Sequence, residues 1–331
     1  MFIRRVSISC FKSVRDAVLD LNRVNVFIGE PDTGKSNILE SLGLLSCLKQ
    51  VVDGYREGSL GKFVRLSTIT DLFFNKDLRC SVRICVDSYC VKLHGSSYRC
   101  DLWYNDDLLG YITRRGSIRL YKRKGVVLPE VMFYRYRVRD RFESYGLEYP
   151  VPPDIPNLLE LLQYSSCLRE VVGEILSSYG YDVVLKPSDG VIEVQKRIDG
   201  NIVVSYPYNL LSDSISRLVF HITPIVLLNG AAIVYEEPET HMFPYYVKYL
   251  AEQIALDQKN QYIISTHNPL FLVSILEKTK VSDVNIYVVE KIHGETKTWP
   301  IDKETYSDIL ELGEETYFNL DRLVKKITIK Q

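Results

Sequence analysis

Gly29-Glu30-Pro31-Asp32-Thr33-Gly34-Lys35-Ser36 is the stretch on which the reading of this chain turns. It fits the pattern G-x-x-x-x-G-K-[ST]. The residues before it, Val24 to Ile28, are a short and almost wholly apolar run, as a strand buried on both faces requires. The residues after it place Ile38, Leu39, Leu42 and Leu45 at helical spacing, predicting a helix from Lys35 to about Leu48. A glycine-bounded bend between such a strand and such a helix is a phosphate cradle. Gly29 and Gly34 let the backbone curl so that successive N–H groups point at one place, at the positive end of a helix. In that setting Lys35 supplies a point charge between the β- and γ-phosphates, and Ser36 offers its hydroxyl to Mg²⁺.

Two further strand ends carry chemistry. Ala231 to Tyr235 is apolar and runs into Glu236-Glu237-Pro238-Glu239. The carboxyl ends of strands are where a parallel α/β sheet binds its ligand, and consecutive residues of a strand point to opposite sides. Glu236 can therefore organise the water shell of Mg²⁺ while Glu237 faces an attacking water as general base. The run Gln261 to Ser265 delivers Thr266, His267 and Asn268 in the same way, and His267 reads as a sensor of the γ-phosphate.

Around these motifs the chain divides. Strand patterns at residues 2–10 and 24–29 open it, and from Phe63 to Val138 short β-rich runs alternate with turn signals, predicting an antiparallel accessory sheet. The proline-rich connector Pro150 to Pro156 follows, then a helical stretch capped by Asn157 and reaching about Ser178, then strands near 183–186, 191–195 and 202–206. A helix starts near Ser212, and strands alternate with helices to the end, as in a parallel sheet. The expected organisation is a split core (1–60 and 207–331), a β-rich lobe (61–149), and a helical segment with β-hairpins (150–206).

With 331 residues, 46% apolar and 25% charged, the chain has a globular composition rather than a collagen-like, coiled-coil or disordered one. Its net charge of -1 excludes a histone-like coat for nucleic acid. The basic residues are concentrated, however. Residues 113–141 hold ten, at Arg114, Arg115, Arg119, Lys122, Arg123, Lys124, Arg135, Arg137, Arg139 and Arg141, against two acids, Glu130 and Asp140. The alternation from Arg135 to Arg141 predicts a strand with a row of guanidinium groups on one face and Tyr134 and Tyr136 on the other. Such a row suits a DNA backbone; the other reading is a solvated face or an interface with acidic residues of the same protein. The seven cysteines read chiefly as free, buried thiols, with a zinc site or disulfides as the other readings. The N-terminus has no apolar leader and the greasiest stretch, Leu218 to Tyr235, is interrupted by polar residues and Pro224, so a cytoplasmic protein without a membrane partner is expected.

Taken together these elements resemble the ABC-type ATPase heads of the SMC/RecF/OLD group, in a compact AAA-like form without a Toprim domain or long coiled coil. The resemblance rests on Phe11-Lys12-Ser13, on Gly29 to Ser36 continuing as Asn37-Ile38-Leu39-Glu40, on Leu211-Ser212-Asp213-Ser214, on Glu236-Glu237-Pro238-Glu239, and on Ser265-Thr266-His267-Asn268-Pro269. It implies an α/β P-loop NTPase fold with a mixed or parallel central sheet, an antiparallel accessory lobe and a short helical insertion. It also implies ATP and Mg²⁺ as cofactors, Asn37 beside the phosphates, and a homodimer closed head to head by nucleotide. Ser212, Asp213 and Ser214 would then touch the γ-phosphate held by the other copy, although any helix start could use Ser212 or Asp213 as an ordinary cap. DNA repair or antiviral defence is the implied setting; the alternatives are a slow ATP-gated clamp on nucleic acid or a partner protein, or the ATPase subunit of a complex whose nuclease is a separate chain. Three positions depart from the family pattern: Glu236 stands where Asp is usual, Ser214 where many relatives have Gly, and no clear glutamine links the nucleotide to the accessory lobe, Gln50 being the nearest candidate. Lys35→Ala is expected to abolish ATP binding, and unchanged affinity in a calorimetric titration would contradict the reading.

Overall fold

The computed structural model describes residues 2–54, 58–96, 98–121, 125–200 and 202–319. In chain order, β1 (Arg5–Phe11), β2 (Val14–Asp20), β3 (Val24–Ile28) and α1 (Lys35–Asp53) are followed by β4 (Val82–Val86), β5 (Tyr89–Gly95), β6 (Arg99–Tyr104), β7 (Asp107–Thr113), β8 (Ile118–Leu120) and β9 (Val131–Tyr134). Then come α2 (Leu158–Tyr164), α3 (Ser166–Ser177), β10 (Asp182–Lys186), β11 (Val191–Ile198) and β12 (Ile202–Pro207). The remainder is α4 (Asp213–Leu227), β13 (Ala232–Glu236), α5 (Pro244–Leu256), β14 (Gln261–Ser265), α6 (Pro269–Lys278), β15 (Val284–Ile292), β16 (Glu295–Pro300) and α7 (Tyr306–Leu312).

These strands form a seven-stranded sheet in the order β2-β1-β4-β5-β6-β7-β8, a six-stranded sheet in the order β16-β15-β3-β14-β13-β9, and a small β10-β11-β12 sheet. The first is antiparallel throughout; the second is parallel except where β16 returns beside β15. All five residues of β3 are buried, as its apolar run demanded. Three strands lie across the expected divisions of the chain. β1 and β2 belong to the antiparallel sheet although they precede the phosphate loop, and β9 pairs with β13 in the parallel sheet although it follows the accessory strands.

Helix α1 lies between the two large sheets. Its Ile38, Leu39, Leu42, Leu45 and Leu48 pack in one core with Val6, Ile8 and Phe11 of the antiparallel sheet and with Phe27, Phe133, Val234 and Ile263 of the parallel one. The opposite face of the parallel sheet carries a second core with the remaining helices, including Leu218 and Ile222 of α4 and Leu250 and Ile254 of α5. Burying α1 on both sides ties the helix that starts at Lys35 to both lobes, so the helix start cannot shift without disturbing two cores.

Some local expectations give way to particular contacts. The helix predicted from Asn157 breaks at Ser165, which takes an extended conformation and caps α3 by accepting from Leu168 N at 3.1 Å. Asn157 makes no side-chain cap; its Oδ1 accepts from Val151 N and its Nδ2 donates to Tyr149 O, holding the proline-rich connector. The alternation of arginines does not extend β9, which ends at Tyr134, so no row of guanidinium groups forms on a strand face. Four cysteines are paired rather than free: Cys10 with Cys80, and Cys85 with Cys90, which the β4–β5 register sets directly opposite one another. Cys47 and Cys100 are free and buried, and Cys167 is free and exposed. Among the described residues no helix is long and apolar enough to cross a membrane.

Gly34 shows how tightly the two lobes meet the loop. Its φ is 103°, and a Cβ there would lie 1.9 Å from Thr296 Oγ1 on β16. Gly34→Ala is expected to destabilise the fold by about 2–3 kcal/mol through strain and collision together, read as a lower midpoint in chemical denaturation of the nucleotide-free protein.

Candidate nucleotide site

The phosphate loop leaves the centre of the parallel sheet at Ile28. Gly29 has φ 150°, and a Cβ on it would meet Val289 O of β15 at 2.3 Å, so only glycine fits. Thr33 Oγ1 donates to Glu30 O at 2.9 Å, closing the bend from within. Lys35 folds back into the loop. Its Nζ donates to Gly29 O at 2.9 Å and to Glu30 O at 2.7 Å, and the residue is buried. Burial lowers its pKa to about 8, against the opposing pull of Glu237 and Glu30. A buried ammonium satisfied chiefly by carbonyls of its own loop is the arrangement an anionic phosphate chain would complete.

The acidic strand reaches the same place. β14 lies between β3 and β13 and runs parallel to both, so the loop and the two glutamates leave the same edge of one sheet on either side of β14. Ser36, Glu236 and Glu237 line one cavity of about 500 Å³, together with Arg65, Arg135, Arg137, Arg217 and Thr240. Glu237 has φ 45°, a costly conformation for a residue with a side chain. Its N–H donates to Ser265 O at 2.9 Å, which holds the turn, and its Oε1 lies 3.2 Å from His267 Nε2. The hydrogen bond from His267 holds the Glu237 carboxyl below the usual carboxylate range, and the charges of His267, Lys35 and Arg65 add to it.

Glu236 is engaged differently. Its Oε1 accepts from Arg65 Nη2 at 2.8 Å and its Oε2 from Arg135 Nη2 at 2.6 Å. The same two arginines reach Glu40, which is fully buried one helical turn beyond Ser36 and also pairs with Lys12. Burial pushes the Glu40 carboxyl up, but Lys12, Arg65 and Arg135 outweigh it and hold the group below its ordinary pKa. Arg65 lines both the 500 Å³ cavity and a larger one of about 860 Å³ bounded by Lys12, Ser13, Lys76 and Lys291. The two cavities thus meet at one side chain.

The structure distributes the remaining predicted residues unevenly. Asn37 turns to Ser13, its Nδ2 donating to Ser13 Oγ at 2.6 Å, and Ser13 in turn bonds Thr296 at 2.7 Å. Glu30, Pro31 and Asp32 are exposed on the outer curve of the loop. Ser212 and Asp213 are exposed at the start of α4, with Asp213 paired to Arg217 at 2.8 Å. Ser214 Oγ donates to His241 O at 2.9 Å and accepts from Phe243 N at 3.1 Å, joining this segment to the loop after the glutamates. Phe243, which donates to Ser214, and the nearby sequence positions Leu210 and Tyr245 are exposed. Gln50 donates to Pro152 O at 2.6 Å, among buried residues.

Two arginines of the basic segment are engaged with carboxylates of the chain itself. Arg135 serves Glu40 and Glu236, and Arg139 pairs with buried Asp154. Arg137 is exposed, as are Arg114 and Arg115 in the β7–β8 turn. Lys122, Arg123 and Lys124 lie outside the described residues. Sequence reasoning missed Arg65, Thr296 and Lys291, which no motif marks. It quoted Glu239 without a role: Glu239 is buried, accepts from Thr266 Oγ1 at 2.5 Å and from His267 N at 3.3 Å, and is raised by burial to about 7. The signal available for it was the third acid of the Glu-Glu-Pro-Glu run.

The fold is similar to that of solved SMC head domains. Residues 1–87 match the AAA ATPase domain family. A solved SMC head bound to the C-terminal winged-helix domain of ScpA is 15% identical, with a TM-score of 0.58 over 93% of this chain and 100% of that one. An SMC head with an extended coiled coil, bound to the C-terminal domain of ScpA from Pyrococcus furiosus, is 14% identical, with a TM-score of 0.59 over 94% of this chain and 98% of that one. No curated protein matches the sequence.

The donor set fits a magnesium nucleotide: a curled loop with a buried lysine, a hydroxyl at Ser36, and two carboxylates on the same cavity. A phosphate chain against Lys35 would restore the ordinary ammonium pKa. Because the nucleotide-free value is about 8, binding should take up close to half a proton at pH 8 and almost none at pH 6.5. Calorimetry in buffers of different ionisation enthalpy measures this, and equal uptake at both pH values would contradict it.

Proposed function

We propose that this chain binds and hydrolyses ATP and closes head to head with a second copy when Mg-ATP is bound. The observation that carries the reading is the shared cavity of Ser36, Glu236 and Glu237 beside the buried Lys35. In it, the loop from Gly29 to Ser36 cradles the phosphates through its N–H groups, while Lys35 moves off its own carbonyls to pair with the β- and γ-phosphates. Ser36 and Glu236 are the residues that would hold Mg²⁺, which supplies charge neutralisation on the phosphate oxygens. Glu237, fixed by Ser265 and His267, accepts a proton from the attacking water. His267 keeps Glu237 aimed at that water and senses the γ-phosphate.

The exposed Ser212 and Asp213, and the exposed apolar Leu210, Phe243 and Tyr245, support a face for the second copy. Exposed Arg114 and Arg115 support contact with DNA at the accessory sheet. A role in DNA repair or antiviral defence, with a nuclease on a separate chain, follows from the family resemblance. The grip of Arg65 and Arg135 on Glu236 favours a second reading, an ATP-gated clamp with slow turnover, because the metal-side carboxylate must first be released.

ATP turnover measured alone, with single-stranded DNA and with double-stranded DNA separates these readings: a motor turns over readily, and a clamp binds ATP but hardly hydrolyses it. Glu237→Gln should lower turnover at least 100-fold and accumulate an ATP-bound dimer in light scattering. A monomer in saturating Mg-ATP would count against the two-copy arrangement.

A further inference from the structure

Asp32 sits on the outer curve of the phosphate loop in a left-handed conformation, with φ 61°, and is exposed. An acid in a loop built to gather phosphate is an electrostatic conflict, because a bound triphosphate carries several negative charges. One side chain from a distant part of the sequence answers it. Lys291, near the end of β15, places its Nζ 2.6 Å from Asp32 Oδ2. That hydrogen bond holds the Asp32 carboxyl below its usual range. No other cation pairs with Asp32 among the described residues.

The position of Lys291 is set by the same contacts that shape the loop. Two residues earlier, Val289 O closes against Gly29. Across the hairpin, Lys291 is in register with Thr296, whose Oγ1 donates to Thr33 O at 3.0 Å and bonds Ser13. Lys291 also lines the 860 Å³ cavity that holds Lys12, Ser13 and Arg65, and with Gly29 to Thr33 of the loop it lines a smaller one of about 230 Å³.

We propose that Lys291 sets nucleotide affinity by cancelling the charge of Asp32, a positioning and charge-balancing role for a residue outside every nucleotide motif. The inference rests on the ATP reading of the site. Both partners are on the surface, with 39% and 89% of their side chains exposed, so the pair adds little to folding. Its effect is felt when an anion enters.

Mg-ATP affinity should be measured by calorimetry at low and high salt for the wild type, Lys291→Met, Asp32→Asn and the double variant, alongside nucleotide-free melting temperatures. Lys291→Met should weaken binding about three- to tenfold at low salt and less at high salt. Asp32→Asn should restore affinity in the double variant to near the wild-type value. All four melting temperatures should agree within about 2 °C. Unchanged affinity in Lys291→Met overturns the proposal. So does weakened affinity that Asp32→Asn fails to rescue, since Lys291 would then act on the nucleotide directly. A wild-type chain that binds no ATP would sink the ATP reading itself, a result distinct from either.

Discussion

Everything at this site is arranged around one buried ammonium. Lys35 cannot reach water freely, and its hydrogen bonds go to carbonyls of the loop that precedes it. A cation in that position is destabilising unless an anion completes its shell, which is why its pKa falls toward neutrality. The two packed sheets hold the helix bearing Lys35 from both sides, so the lysine cannot escape by moving the helix. The protein thus stores an electrostatic demand that a phosphate chain satisfies, and the sheet order brings carboxylates to the same spot.

Charge is otherwise balanced by short-range pairing. Lys12, Arg65 and Arg135 pair with Glu40, and the two arginines also pair with Glu236, so removing any one cation leaves a buried carboxylate less fully compensated. Arg65 comes from the segment between α1 and the antiparallel sheet, whereas Arg135 follows β9 of the parallel sheet. Glu236 is therefore a meeting point of the two lobes.

Much of this was legible in the sequence because it is local. The phosphate loop, the Glu-Glu-Pro-Glu run and the Ser-Thr-His run each follow a short apolar strand, and the alternation of strand and helix marks a parallel sheet. What escaped reading is non-local. Arg65 meets Glu236 across 171 positions and Lys291 meets Asp32 across 259, and neither pair leaves a period or spacing in the chain. Arg135 to Arg141 imitates a strand because alternation is all that a sequence shows; the backbone leaves the sheet at Tyr134, and Arg135 turns to carboxylates 95 and 101 positions away. The break at Ser165 was hidden because a serine inside an amphipathic run does not announce whether it will cap or continue.

The central claim is that the loop and the paired glutamates serve one metal–triphosphate. The most direct test is anomalous scattering from Mn²⁺ in crystals grown with a non-hydrolysable ATP analogue. The account predicts a single manganese peak between Ser36 and Glu236, in contact with the analogue's phosphates beside Lys35. A metal or nucleotide bound elsewhere, or an analogue in the loop with its metal away from both residues, would contradict it.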